Sequence, residues 1–141
     1  MLAAAPVLIA EDNLYVALDL SNAIEDMAGR VVGPVSSVSE ALFLLNMQYV
    51  AAAIVDCTLS DRDAAPLAWQ LRERGIPFVI HTAAPVPEVI AELHPEVPVL
   101  SKPLQPRAVL ARLLIEMRRS ARHVRTIEET AMTLNEIRQP T

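Results

Sequence analysis

Short apolar runs alternate along this chain with stretches whose apolar residues recur at helical spacing. Pro6 to Ala10 reads as a first strand, and Leu14, Ala17, Leu18, Leu20, Ile24 and Met27 then predict one face of a helix closed by Gly29. Arg30 to Val35 is a second short strand. Ser37-Val38-Ser39-Glu40 has the spacing of a capping box and opens a helix carrying Ala41, Leu42, Leu44 and Leu45. Residues 51–55 are apolar throughout, as befits a central parallel strand buried on both faces. A helix from Ala65 to Arg74 stops at Gly75, and Pro77 to Thr82 forms a fourth strand. Pro85, Pro87 and Pro95 crowd the next helix to about two turns around Val89 to Leu93. Val97 to Ser101 is a fifth strand, and Pro106 suits the first position of a final helix. Five strand–helix units at this spacing imply a parallel sheet with right-handed crossovers and helices on both faces.

Polar residues stand at the downstream end of four of those runs: Glu11 and Asp12 after the first, Asp56 after the third, Thr82 closing the fourth and Lys102 after the fifth. Sites in open parallel sheets form beyond the carboxyl ends of the strands, so all of them meet along one edge. Lys102 is the only lysine, against eleven arginines. Three carboxylates brought together repel one another and call for a hard divalent cation, Mg²⁺ or Mn²⁺. Asp56 can then attack a phosphoryl group while Lys102 and Thr82 stabilise its oxygens. With three glycines in the chain there is no Gly-rich nucleotide loop, so the donor would be a phosphorylated residue or a small acyl phosphate. Acids in such positions also cap helices, and Asp12 or Asn13 could cap the one starting near Leu14.

Composition narrows the setting. The 141 residues, 52% hydrophobic, suit one domain with a sizeable core. The lone Cys57 excludes an internal disulfide and fits a reducing compartment, so a cytoplasmic location is expected. No run reaches the roughly 18 apolar residues of a membrane helix. The net charge of −5 divides unevenly: residues 1–104 carry 5 basic and 13 acidic side chains, and residues 105–141 carry 7 and 4. An acidic body argues against nucleic acid as a partner, and the basic cluster from Arg118 to Arg125 reads as a solvated helix face. His81, His94 and His123 lack metal-ligand spacing; Cys57, Trp69 and Phe78 read as core.

In the order and separation of Glu11-Asp12, Asp56, Thr82 and Lys102-Pro103, residues 6–117 resemble the receiver (REC) domain of bacterial two-component response regulators. The resemblance implies an α/β, flavodoxin-like, doubly wound five-stranded parallel sheet of order 2-1-3-4-5, helices on both faces, within a receiver domain over residues 1–117. It implies that Asp56 accepts a phosphoryl group from a histidine kinase or histidine phosphotransfer protein. It also implies that Glu11, Asp12, Asp56 and the Thr58 carbonyl hold the metal, while Thr82 and Lys102 contact phosphoryl oxygens. Such a protein is a signalling switch and no conventional enzyme, promoting its own Mg-dependent phosphorylation and dephosphorylation and acting on a downstream protein target. The alternative is a phosphorylation-independent interaction domain. An aspartyl-phosphate phosphatase would want a second aspartate close behind Asp56, and Asp61 and Asp63 fall beyond that spacing. The chain departs from the family pattern at Ser60, where proline is frequent, and at Ala64, where glycine is frequent; Val99 stands in place of a switching aromatic, and Ala83 replaces the glycine of a subgroup that, like this chain, has Pro-Phe ahead of the threonine.

Residues 118–141 form a helical extension or tail. Leu110, Leu114, Met117, Ala121 and Val124 are spaced as a helix seam, which Ile127, Ala131 and Leu134 resume after one break. The final helix either runs on past the body or breaks near Arg125 and folds back. Nothing after residue 117 is large enough for an effector domain, so output by binding is expected, including a homodimer through the final helix or through the face of fourth helix, fifth strand and final helix.

Overall fold

The structure, a computed structural model, describes residues 2–138. Strands and helices alternate as β1 (Pro6–Ala10), α1 (Leu14–Asp26), β2 (Arg30–Val35), α2 (Val38–Met47), β3 (Ala52–Val55), α3 (Ala65–Glu73), β4 (Phe78–Thr82), α4 (Glu88–Leu93), β5 (Val99–Ser101) and α5 (Pro106–Arg138). The sheet order is β2-β1-β3-β4-β5 with every neighbouring pair parallel, as the sequence predicts. Alternation along the strands divides the core in two. Leu8, Ala53, Val55 and Ile80 face α2, α3 and α4, meeting Leu45, Leu67, Leu71 and Ile90. Val7, Ile9, Ile54 and Val79 face α1 and α5, meeting Leu20, Ile24, Leu110 and Leu113. β3 is buried along its whole length, which is why its sequence shows no polar alternation. No described helix is long and apolar enough to cross a membrane.

The helix α1 departs from its predicted face. Ala17, Leu20, Ser21 and Ile24 are buried, whereas Leu14 is 64% and Leu18 47% exposed. Leu18 is turned about 100° from the buried stripe, and Leu14 stands in the first turn, at the rim of the sheet. Trp69 is likewise on the surface and only Phe78 of that pair is core. Strand β5 is shorter than predicted, because the Val97 amide turns back onto the His94 carbonyl at 3.1 Å before pairing with β4 begins at Val99. Helix α5 does not break near Arg125: it is continuous to Arg138, and no glycine or proline interrupts residues 107–138.

Gly29 does not close α1 by its own dihedrals. The left-handed residue is Ala28, at φ +61°, with its amide on Glu25 O (2.9 Å) and the Gly29 amide on Ile24 O (2.9 Å). That is a Schellman end, with Ala28 where glycine is usual. Gly29 is needed for space instead, since a Cβ there would fall 2.6 Å from Leu2 Cδ1 and 2.8 Å from Ile24 Cγ2. At α3 the same end motif does use glycine, Gly75, at φ +66°. The Ala28 side chain is exposed, so Ala28→Gly should stabilise the protein by about 0.5–1 kcal/mol, relief of left-handed strain outweighing the added unfolded-state freedom. A denaturant midpoint that fails to rise would contradict this account of the helix end.

Candidate functional site

Parallel pairing in register brings the polar ends of β1, β3, β4 and β5 to one edge. The Asp56 amide bonds Ala10 O at 2.9 Å and the Lys102 amide bonds Thr82 O at 2.9 Å, so the backbone at both reacting positions is fixed by the sheet. The Lys102 Nζ reaches Asp56 Oδ2 at 2.8 Å and also pairs with Glu11 Oε1. The other Asp56 oxygen accepts a long bond, 3.4 Å, from the Thr58 amide. Glu11, Asp12 and Asp56 each present a carboxylate oxygen within 4.8 Å of the others, with Glu11 and Asp56 buried and Asp12 exposed. Capping of α1 falls to Asn13, whose Oδ1 accepts from the Tyr15 and Val16 amides, so Asp12 is not used for that purpose. Thr82 is buried; its hydroxyl oxygen accepts from the Ala84 amide at 3.1 Å, which leaves the hydroxyl proton to be donated. Thr58 opens the loop after β3 and pairs with Asp63 across it. All six residues named from the sequence therefore lie on this edge.

Two carboxylates sharing one ammonium titrate apart. Burial pushes the Glu11 carboxyl up to about 7, Lys102 opposing and Asp56 assisting. Asp56 moves the other way: burial disfavours its charge, but hydrogen bonds from Lys102, Glu11 and Thr82 together hold it below the usual carboxylate range. Lys102 is held above the usual ammonium value, burial being outweighed by Asp56 and Glu11. A proton on Glu11 and the Lys102 ammonium thus relieve the repulsion. A divalent cation fits the same donor set, since it would replace that proton among three oxygen ligands. Burial pushes the Cys57 thiol up to about 11, which makes it inert as a nucleophile.

The structure assigns work to residues that sequence reasoning passed over. Asp61 accepts the Val38 and Ser39 amides at 2.8 and 3.1 Å, tying the loop after β3 to the start of α2, and Asp63 accepts the Ala65 amide at the start of α3. Both aspartates satisfy backbone amides at helix starts, Asp61 those of Val38 and Ser39 and Asp63 that of Ala65. The spacing to Ala65 signals the second; the first is a contact across 23 residues that no local pattern announces. His81 is buried with neither ring nitrogen hydrogen-bonded among the described residues, and it lines a cleft of about 220 Å³ with Asp19, Lys102 and Leu104.

By sequence, no protein-family model and no curated protein matches the chain. Solved structures do match. A CheY-like response regulator receiver domain protein from Methanospirillum hungatei JF-1 superposes with a TM-score of 0.76 at 16% identity, covering 84% of this chain and 98% of that one. A response regulator receiver protein from Sinorhizobium medicae WSM419 gives 0.75 at 21% identity, covering 85% and 99%. A fusion of the yeast Spc42 trimeric coiled coil, amino acids 181–211, to another structure gives 0.69 at 16% identity and covers 96% and 97%. The fold is therefore that of response-regulator receiver domains, and the last match takes in most of the helix beyond residue 117 as well.

Proposed function

We propose that this protein is the phosphoacceptor receiver of a two-component phosphorelay. The observation that carries the reading is the 2.8 Å contact of the only lysine with Asp56, inside a three-carboxylate cluster on a receiver fold. An Asp56 oxygen attacks the phosphorus of a phosphohistidine on a histidine kinase or phosphotransfer protein. The new P–O bond forms as the P–N bond breaks, and the imidazole leaves with the electron pair and takes up a proton. Lys102 then turns from the carboxylate it neutralises toward a phosphoryl oxygen, and Thr82 donates its hydroxyl proton to another. Glu11, Asp12, Asp56 and the Thr58 carbonyl would hold Mg²⁺ or Mn²⁺, which supplies counter-charge for the phosphoryl oxygens. Attack by water on phosphorus later returns the carboxylate and inorganic phosphate. Incubation with Mg²⁺ and acetyl phosphate, read by intact mass, tests the reading. A protein that gains no phosphoryl group in Mg²⁺ would instead be a phosphorylation-independent interaction domain.

The exposed Leu14, Tyr15 and Leu18 stand on α1 directly after the acidic pair, an apolar rim beside the site. A protein donor must desolvate that rim to bring its phosphohistidine to Asp56, whereas acetyl phosphate need not. Leu14→Ala with Leu18→Ala should slow transfer from a phosphotransfer protein at least tenfold and leave acetyl phosphate labelling unchanged. Equal losses with both donors would place the effect on the chemistry and remove α1 as the docking face. Output to a downstream protein target is assigned to α4, β5 and the neighbouring part of α5, where Val89 and Val99 are exposed. Pro87 precedes α4 without a side-chain cap, and Ile90 is that helix's one buried residue, so the element is held weakly and can repack when Thr82 engages the phosphoryl group.

A further inference from the structure

We infer that the C-terminal half of α5 pairs antiparallel with the same segment of a second copy, so that the protein is a dimer independent of its phosphorylation. Residues 118–138 continue α5 for roughly 30 Å beyond the body. Val124, Ile127 and Leu134 are each about half exposed there. Most of a helix's stability in a protein comes from packing its amphipathic face, so this apolar stripe gains stability by burial against a partner.

Charge decides the partner and its direction. Residues 118–125 carry four arginines and no acid, whereas residues 126–138 carry three glutamates and one terminal arginine. Two copies laid parallel would set arginine cluster against arginine cluster. Laid antiparallel, each basic half meets the other copy's acidic half. The seam agrees with that arrangement. Its one discontinuity falls between Val124 and Ile127, where a two-fold axis would pass. Met117, Ala121 and Val124 of one copy then face Leu134, Ala131 and Ile127 of the other, while Arg122 comes opposite Glu129 and Arg125 lies near Glu128. The small Ala121–Ala131 pair lets the two backbones approach closely.

The body provides a seat for the incoming helix. A cleft of about 560 Å³ lies between α5 and the loops at the base of the sheet, lined by Tyr49, Ile76 and Pro77 on one side and Met117, Ala121 and Val124 on the other. The apolar and acidic stretch 127–136 of a second copy has the chemistry to fill it, its glutamates lying toward Arg118, Arg122 and Arg125.

Sedimentation equilibrium of the full chain at tens of micromolar should give twice the monomer mass, with or without acetyl phosphate. Val124→Ser with Leu134→Ser should weaken association at least a hundredfold while the body still folds and melts cooperatively, because neither residue belongs to its core. Orientation is read with introduced thiols, Cys57 being buried. A mixture of Ala121→Cys and Ala131→Cys chains should form a disulfide-linked heterodimer, and Ala121→Cys alone should not link to itself. A monomeric chain, a trimer, self-linking of Ala121→Cys, or a dimer indifferent to the double serine variant would each overturn the proposal. So would a monomer whose arginines bind duplex DNA.

Discussion

Asp56→Asn should gain no phosphoryl group from acetyl phosphate in Mg²⁺, under conditions where the wild-type chain is visibly labelled by intact mass. The amide lacks the charge that makes an Asp56 oxygen a nucleophile, and it cannot form the acyl phosphate. The variant should nevertheless fold. The Asp56 amide is held by Ala10 O in the sheet, and an asparagine oxygen can still accept from the Lys102 Nζ that now lies 2.8 Å from Asp56 Oδ2. Lys102 keeps Glu11 as its second partner. Because the fold favours the charged form of Asp56, losing that charge should lower the melting temperature of the metal-free protein somewhat without unfolding it. Loss of the adduct with a cooperative melting transition retained separates this outcome from simple misfolding. An undiminished adduct in Asp56→Asn would assign the chemistry to another residue.

The parts of the fold that the sequence makes legible are those where local pattern and tertiary demand coincide. Residues 52–55 are apolar because both faces of β3 are covered, and Asp56 is conspicuous because it follows directly. Ser37 caps α2 through the Glu40 amide, as the capping-box spacing predicts. Legibility fails where a residue's setting depends on distant chain. Leu14 and Leu18 satisfy a helical period, yet their direction depends on where α1 crosses the sheet, and they end at the surface. Gly29 looks like a helix stop, but its absent side chain is required by Leu2 and Ile24, which no local rule reveals. Asp61 is an acid in a loop until α2 is placed beside it. For the tail, the break in the seam left open whether the helix runs on or breaks near Arg125. A shift in apolar register changes which face is sticky, however, and does nothing to the backbone hydrogen bonds that keep α5 continuous.

Glu11 is the group through which pH and metal should act on stability. Its carboxyl is raised from 4.5 to about 7 in the folded protein, so between those values the folded state holds a proton that the unfolded chain has lost. Stability is therefore full below pH 4.5 and declines as pH rises toward 7, by up to about 3 kcal/mol for a shift of this size. Asp56, held low, acts in the opposite sense but only in more acid solution. His81 and His94, both lowered chiefly by burial, also oppose the trend, losing stability as pH falls below their ordinary value. Comparison of wild type with Glu11→Gln, which has the same shape and no titration, isolates the Glu11 contribution. In chelator, the wild-type melting temperature should fall between pH 5 and 8 relative to that of Glu11→Gln. Mg²⁺ should remove most of the difference, because the cation binds the carboxylate form and displaces the proton. Calorimetry in buffers of different ionisation enthalpy should show that proton released near pH 6.5 in wild type and not in Glu11→Gln. If both proteins show the same pH slope and the same proton release, Glu11 is not the shared site of proton and metal, and the cluster's repulsion is relieved elsewhere.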